Sequence, residues 1–201
     1  MISQSVFRNV LKTMKEFPDR SLDIIDSFSD NQFKSKETLL GQIDHLLDKN
    51  TELTILGCWY GSILVPYLAP RANKIVAIDL DNDVVRVGKN KFFKDFENVS
   101  WSTGDVFLKE LDYSNTNFII NTSCEHMRPM KEWPFWNRVS STTHFAFQSN
   151  NMDWIDGHVN CVKSLEEFKN QMPDNSEILF EDEIDDSRGI RYTLIGRVDR
   201  D

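Results

Sequence analysis

Asn121-Thr-Ser-Cys-Glu-His-Met127 is the densest run of reactive side chains in this 201-residue sequence. Glu125 and His126 within it can each take a proton from an amine or hydroxyl as that group attacks an electrophile, and histidine suits the task because its pKa lies near neutrality. Asn121, Thr122 and Ser123 ahead of Glu125 also have the composition of a helix or turn cap, so a structural reading stands beside the catalytic one. Downstream, Gln148-Ser-Asn-Asn-Met152 offers amides that both donate and accept, and Gly157-His158-Val-Asn-Cys161 adds an imidazole and a thiol. Glu125 and His126 as catalytic groups, with Asn150, Asn151 and His158 holding a polar substrate, are expected to meet in one pocket. Cys124-x-His126 and His158-x-x-Cys161 supply two sulfurs and two imidazoles, the ligand set of a tetrahedral zinc site. That spacing lacks the tight Cys-x-x-Cys turn of common zinc sites, and free cysteine often packs as a small apolar residue. No metal is therefore expected, and the cysteines are read as separate thiols.

A second set of residues points to a ligand of another kind. Gly57-Cys-Trp-Tyr-Gly61-Ser62 follows an apolar run; its glycines let the backbone turn tightly and approach a ligand, and a helix starting there presents unpaired N–H groups. Asp79 stands roughly twenty residues beyond the glycines, where a carboxylate can accept both hydroxyls of a ribose, and Asp81 follows it. Asn98-Val-Ser-Trp-Ser-Thr-Gly-Asp105 ends in another acid, suited to receive an adenine amino group. Together the three loops describe an adenosine-binding site.

Strands must position these loops. Short apolar runs at 53–56, 75–80, 99–101, 118–120 and 144–147, with helix-length segments between several of them, give a βαβ alternation. Two further strands, 177–183 and 191–198, flank the turn-like Asp185-Asp-Ser-Arg-Gly189 and read as an antiparallel hairpin. Val6, Val10, Leu11 and Met14 fall at helical spacing in 3–17, ahead of Pro18. Leu39, Leu40, Ile43, Leu46 and Leu47 do so in 36–48, behind Ser35 as a cap. Helices are also predicted over 62–68 and 164–172. The fold class that follows is α/β: a doubly wound, mostly parallel seven-stranded sheet with helices on both faces, a C-terminal antiparallel hairpin and N-terminal helices. Residues 1–201 read as one domain, with 1–50 a helical extension packed on it. In such sheets ligands bind beyond the carboxyl ends of the strands, at the topological switch.

In the order of these elements the sequence, from about position 53 to 198, resembles the class I S-adenosylmethionine-dependent methyltransferases. The resemblance implies S-adenosylmethionine as cofactor, with Gly57 and Gly61 against its amino-acid and ribose part, Asp79 on the ribose hydroxyls, and Asp105 with Val106 facing the adenine. Asn121 would stand near the reacting end. Two positions depart from the family's acid-x-Gly-x-Gly-x-Gly loop: Ile55 replaces the acid and Trp59 the middle glycine, so an indole, placed to stack on the ligand, stands where backbone normally approaches it. The resemblance further implies methyl transfer to a small or medium polar acceptor. The alternatives are another reaction of the same cofactor, such as aminocarboxypropyl transfer or cofactor cleavage, or a non-catalytic partner subunit that kept the fold.

The net charge of −9 disfavours nucleic-acid partners, although six acids between positions 177 and 186 carry most of it; the acidic run 181–186 is read as a solvated hairpin tip. Three cysteines fit free thiols in a reducing compartment, and the absence of a span-length apolar run or a leader pattern predicts a cytosolic protein with no membrane association. Trp133, Phe135, Trp136 and Trp154, beside Arg128, Lys131 and Arg138, read either as the lining of a substrate pocket or as core under a long connection.

Overall fold

A computed structural model describes residues 4–198. Seven strands, β1 (Glu52–Leu56), β2 (Lys74–Asp79), β3 (Val99–Thr103), β4 (Phe118–Asn121), β5 (His144–Asn150), β6 (Ser176–Asp186) and β7 (Gly189–Val198), form one sheet in the order β3-β2-β1-β4-β5-β7-β6. The first five run parallel, while β7 pairs antiparallel with both β5 and β6. The chain winds outward from β1 to β3, then crosses to β4 on the other side of β1, so the switch point lies between β1 and β4.

Alternation along the strands divides the core in two. Leu53, Ile55, Ile75, Ala77, Phe118 and Ile120 join one apolar cluster, and their neighbours Leu56, Ile78 and Ile119 join the other. The first cluster is covered by helices α1 (Gln4–Glu16), α2 (Ser21–Asp26), α3 (Asp30–Ile43), α4 (Leu64–Leu68) and α5 (Asn82–Val87), through Val6, Val10, Ile24, Leu39, Leu40 and Ile43 among others. The second is covered differently from the expected layer of helices. Apart from the five-residue α6 (Leu165–Lys169), single 3-10 turns and irregular chain do the work: Tyr113, Met130, Trp133, Phe135 and Val139 are buried there. Trp133 stands edge-on to Tyr113 at 5.0 Å and donates its indole N–H to the Val106 carbonyl, so its polar end is satisfied within the core. Trp133 and Phe135 are thus core residues, whereas Trp154 is exposed.

Two boundaries differ from expectation for physical reasons. The cap of α3 is Ser29, whose hydroxyl accepts from the Gln32 N–H, and Ser35 lies buried inside the helix, donating to Gln148 Oε1 at 3.0 Å. Strand β5 continues through the polar residues Gln148, Ser149 and Asn150, which read as loop in sequence. Gln148 belongs in the buried strand because Ser35 and Thr193 satisfy its amide. Ser35 and Gln148 also join α3 to the sheet, as do the Ser27–Ser62 hydroxyl pair and the Arg20–Asp81 ion pair for the chain before it.

Candidate active site

A cavity of about 730 Å³ opens beyond the carboxyl ends of the strands, at the switch point. Gly57, Trp59 and Gly61 after β1, Asp79 at the end of β2, Asp105 and Val106 after β3, Glu125 and His126 after β4, and His158 after β5 all line it. These residues, far apart in sequence, share one wall system because parallel strands present all their following loops at the same edge.

At one end, the turn after β1 is built around positive φ. Gly57 has φ 63° and Gly61 φ 65°, and Trp59 adopts φ 47°, an uncommon choice for a residue with a Cβ. Asp79 organises that turn: its Oδ2 accepts from the Trp59 N–H at 2.7 Å and its Oδ1 from the Asp81 N–H at 3.0 Å. Burial pushes the Asp79 carboxyl up, against the pull of those two N–H groups. Gly61 serves packing, since a Cβ there would sit 2.6 Å from Val65 and 3.0 Å from the Trp101 ring. A Cβ on Gly57 would meet Met127 at 3.1 Å. Asp105 is exposed and accepts from the Phe107 N–H at 2.8 Å, shaping the loop after β3. Ile55 is fully buried in the core.

At the other end, a 3-10 turn, Cys124–His126, carries Glu125 into the cavity wall almost completely buried. Asn150 and Arg191 face each other across the β5–β7 pair, so their side chains lie on one face and converge on Glu125. Asn150 Nδ2 donates to Glu125 Oε1 at 2.7 Å and an Arg191 guanidinium nitrogen stands 3.7 Å from the same oxygen, while Glu125 Oε2 has no hydrogen-bond partner. The Glu125 carbonyl accepts from the Val159 and Asn160 N–H groups, both at 2.9 Å, which zips the loop after β5 to the loop after β4. His126 and His158 are thereby set edge to face, ring centres 4.6 Å apart. Burial draws the His158 pKa down, and His126 adds to this while Glu125 opposes it.

Three expected site residues stand behind the wall. Asn121 is buried and points its amide at the sulfurs of Met127 and Met130, with its carbonyl accepting from the Ser123 N–H. Asn150 supports Glu125, and Asn151 accepts from the Ile190 N–H, holding the β6–β7 hairpin. Nor does the Cys/His quartet gather. The Cys124 thiol is buried against the Asn121 carbonyl, away from the others, and the Cys161 thiol lies 3.4 Å from Asn150 Oδ1 and 3.6 Å from His158 Nδ1, its pKa pushed up by burial to about 11.

Other wall residues were not legible as site residues. Lys36 of α3 and Asp26 of α2 reach the cavity from the N-terminal helices, and burial, reinforced by Arg191, brings the Lys36 pKa down to about 7 against the opposing pull of Glu125 and Asp26. Arg188 and Arg191 reach it from the hairpin. Asp186 corrects the reading of a solvated acidic tip: its side chain is 2% exposed and binds both arginines. Burial would raise its carboxyl, but the Arg188 N–H and the Arg191 charge outweigh it and hold it low.

No family model matches the sequence and no curated protein matches it. Solved structures do match in fold. The N-methyltransferase NodS from Bradyrhizobium japonicum WM9 superposes with a TM-score of 0.68 at 14% identity, covering 85% of this chain and 99% of that one. An S-adenosylmethionine-dependent methyltransferase from Clostridium acetobutylicum ATCC 824 gives 0.64 at 12% identity over 94% and 100%. A SAM-dependent methyltransferase from Aquifex aeolicus gives 0.61 at 17% over 81% and 88%. The chain has the class I S-adenosylmethionine-dependent methyltransferase fold, with the mostly parallel seven-stranded sheet and the antiparallel C-terminal pair that the sequence implied. Among the described residues, no helix is long and apolar enough to cross a membrane.

Proposed function

We propose that this protein transfers the methyl group of S-adenosylmethionine to a small or medium polar acceptor. The observation that carries the reading is the cavity itself: the wall residues that divide into an adenosine end and an acceptor end face one space at the switch point of this fold. Asp79 has lone pairs left for a ribose diol after its two backbone contacts, and the Asp105 loop with Val106 borders the place for the adenine. Glu125, His126 and His158 act on the acceptor. The sulfonium is already activated, so the protein's main work is alignment of nucleophile, methyl carbon and sulfur. Bound S-adenosylmethionine would supply an activated methyl group with a neutral thioether as its leaving group, and Glu125 or His126 would take the proton of the attacking nucleophile. The test is thermal unfolding of the full chain with S-adenosylmethionine, S-adenosylhomocysteine, NAD and ATP. A ligand present at a hundred times its Kd stabilises by about 2.7 kcal/mol, so the first two are expected to raise the midpoint by several degrees and the others not at all. Stabilisation by NAD or ATP alone would refute the assignment.

A further inference from the structure

Among the described residues, Glu125, His126 and His158 each bring one donor atom to within 4.8 Å of the other two. Each of the three is prepared in a way that the methyl-transfer reading alone does not require. A backbone carbonyl can only accept, so the contacts of His126 Nδ1 with the Gly157 carbonyl and of His158 Nδ1 with the Met152 carbonyl, both 2.9 Å, place the proton of each ring on Nδ1. Nε2 of each imidazole is left as a lone-pair donor, its orientation fixed by a backbone acceptor on the opposite ring nitrogen, as is usual for histidines that ligate metals. Glu125 is held through Oε1 by Asn150 and Arg191, and its Oε2, with the side chain only 4% exposed, lacks any hydrogen-bond partner. A buried carboxylate oxygen left unsatisfied is costly unless a cation or donor completes it.

We propose that Glu125 Oε2 and the Nε2 atoms of His126 and His158 bind one divalent transition-metal ion at the acceptor end of the cavity, leaving coordination positions open to the acceptor. Two imidazoles and one carboxylate with open positions are a ligand set for zinc, cobalt, manganese or ferrous ions. Ligand atoms around such an ion lie about 3–3.5 Å apart, from bond lengths of about 2.1 Å, and the exposed His126 ring is the member of the trio free to adjust to that spacing while Glu125 stays held. Asp186 pairs with both Arg188 and Arg191 and so offsets part of the neighbouring positive charge. The cysteines take no part, in contrast to the Cys/His set weighed from spacing. The site stands on these three side chains alone; only its role, binding the nucleophilic oxygen or nitrogen of the acceptor beside the methyl group, rests on the proposed methyl transfer.

The test titrates the chelator-treated full chain with Co²⁺, followed by its visible absorption and by calorimetry, in the parent and in Glu125→Gln, His126→Ala, His158→Ala, Cys124→Ser and Cys161→Ser. One ion per chain is expected, with affinity lowered at least about tenfold in each of the first three variants and little changed in the cysteine variants. Circular dichroism and S-adenosylhomocysteine binding in chelator confirm that each variant is folded. Absence of stoichiometric binding by the parent, or binding lost in the cysteine variants and kept in Glu125→Gln, would overturn the site. Cofactor binding without Co²⁺ binding refutes the metal site and leaves methyl transfer standing, whereas Co²⁺ binding without cofactor binding does the reverse.

Discussion

Trp59 is the residue at which this chain departs furthest from an ordinary glycine loop, and two energies of similar size meet there. A left-handed backbone costs a non-glycine residue roughly 1–2 kcal/mol, while the indole recovers about 1 kcal/mol through its contact with Tyr60, ring centres 5.5 Å apart, and through packing on the core. Trp59→Gly should therefore leave the thermal midpoint close to the parent's, and Trp59→Val, which keeps the strain and loses the ring, should lower it by several degrees. Glu125 and His126 make a separate prediction. They stand after β4, away from the loops assigned to the adenosine, so Glu125→Gln and His126→Ala should bind S-adenosylhomocysteine nearly as the parent does. Turnover, once an acceptor is found, should fall by something like 10²–10⁴-fold. Loss of cofactor affinity in both variants would assign the 121–127 segment to the cofactor instead.

At the scale of elements, the parallel strands were legible because their apolar runs are short, β-rich and bounded by turns, and the order of loops followed from them. The covering of the second face was not, since Trp133 and Phe135 sit in irregular chain with no period to read. Nor could sequence tell that β5 runs on through Gln148–Ser149–Asn150: polar residues resemble a loop until Ser35 and Thr193 are seen to satisfy Gln148, and Glu125 and the Met152 N–H to pair with Asn150. The same blindness hid Asn150 as a support for Glu125. Asn150→Ala leaves Glu125 Oε1 short of its closest donor and the Met152 N–H without an acceptor, so it should cost about 1–3 kcal/mol in urea unfolding. It should also reduce turnover while sparing S-adenosylhomocysteine affinity.

The whole molecule brings the N-terminal helices into the site, and Lys36 is the clearest sign of it. Its folded pKa of about 7 lies below the ordinary lysine value, so between about pH 7 and 10.5 the unfolded chain binds the extra proton and stability contributed through this group rises with pH; below pH 7 the full cost of burying the charge is present. In chelator-treated protein, Lys36→Met should be more stable than the parent at pH 7, and the difference should shrink as pH approaches 10, as read by thermal midpoints across that range. An unchanged difference would mean that the Lys36 ammonium is solvated. Helix periodicity foretold that these segments would pack, but which polar residue of α3 would point into the cavity depends on how the helix sits on the sheet, and that is a tertiary fact.

The most direct measurement is calorimetric titration of the intact, chelator-treated chain with S-adenosylhomocysteine, in the parent and in Asp79→Ala. The ribose contacts to an ionised carboxylate are charge-assisted hydrogen bonds, each contributing roughly 1.5–3 kcal/mol. One ligand per chain is predicted, with affinity at least about tenfold weaker in Asp79→Ala and the variant still folded by circular dichroism. No saturable binding by the parent, or equal binding by both proteins, would contradict the placement of the cofactor in this cavity.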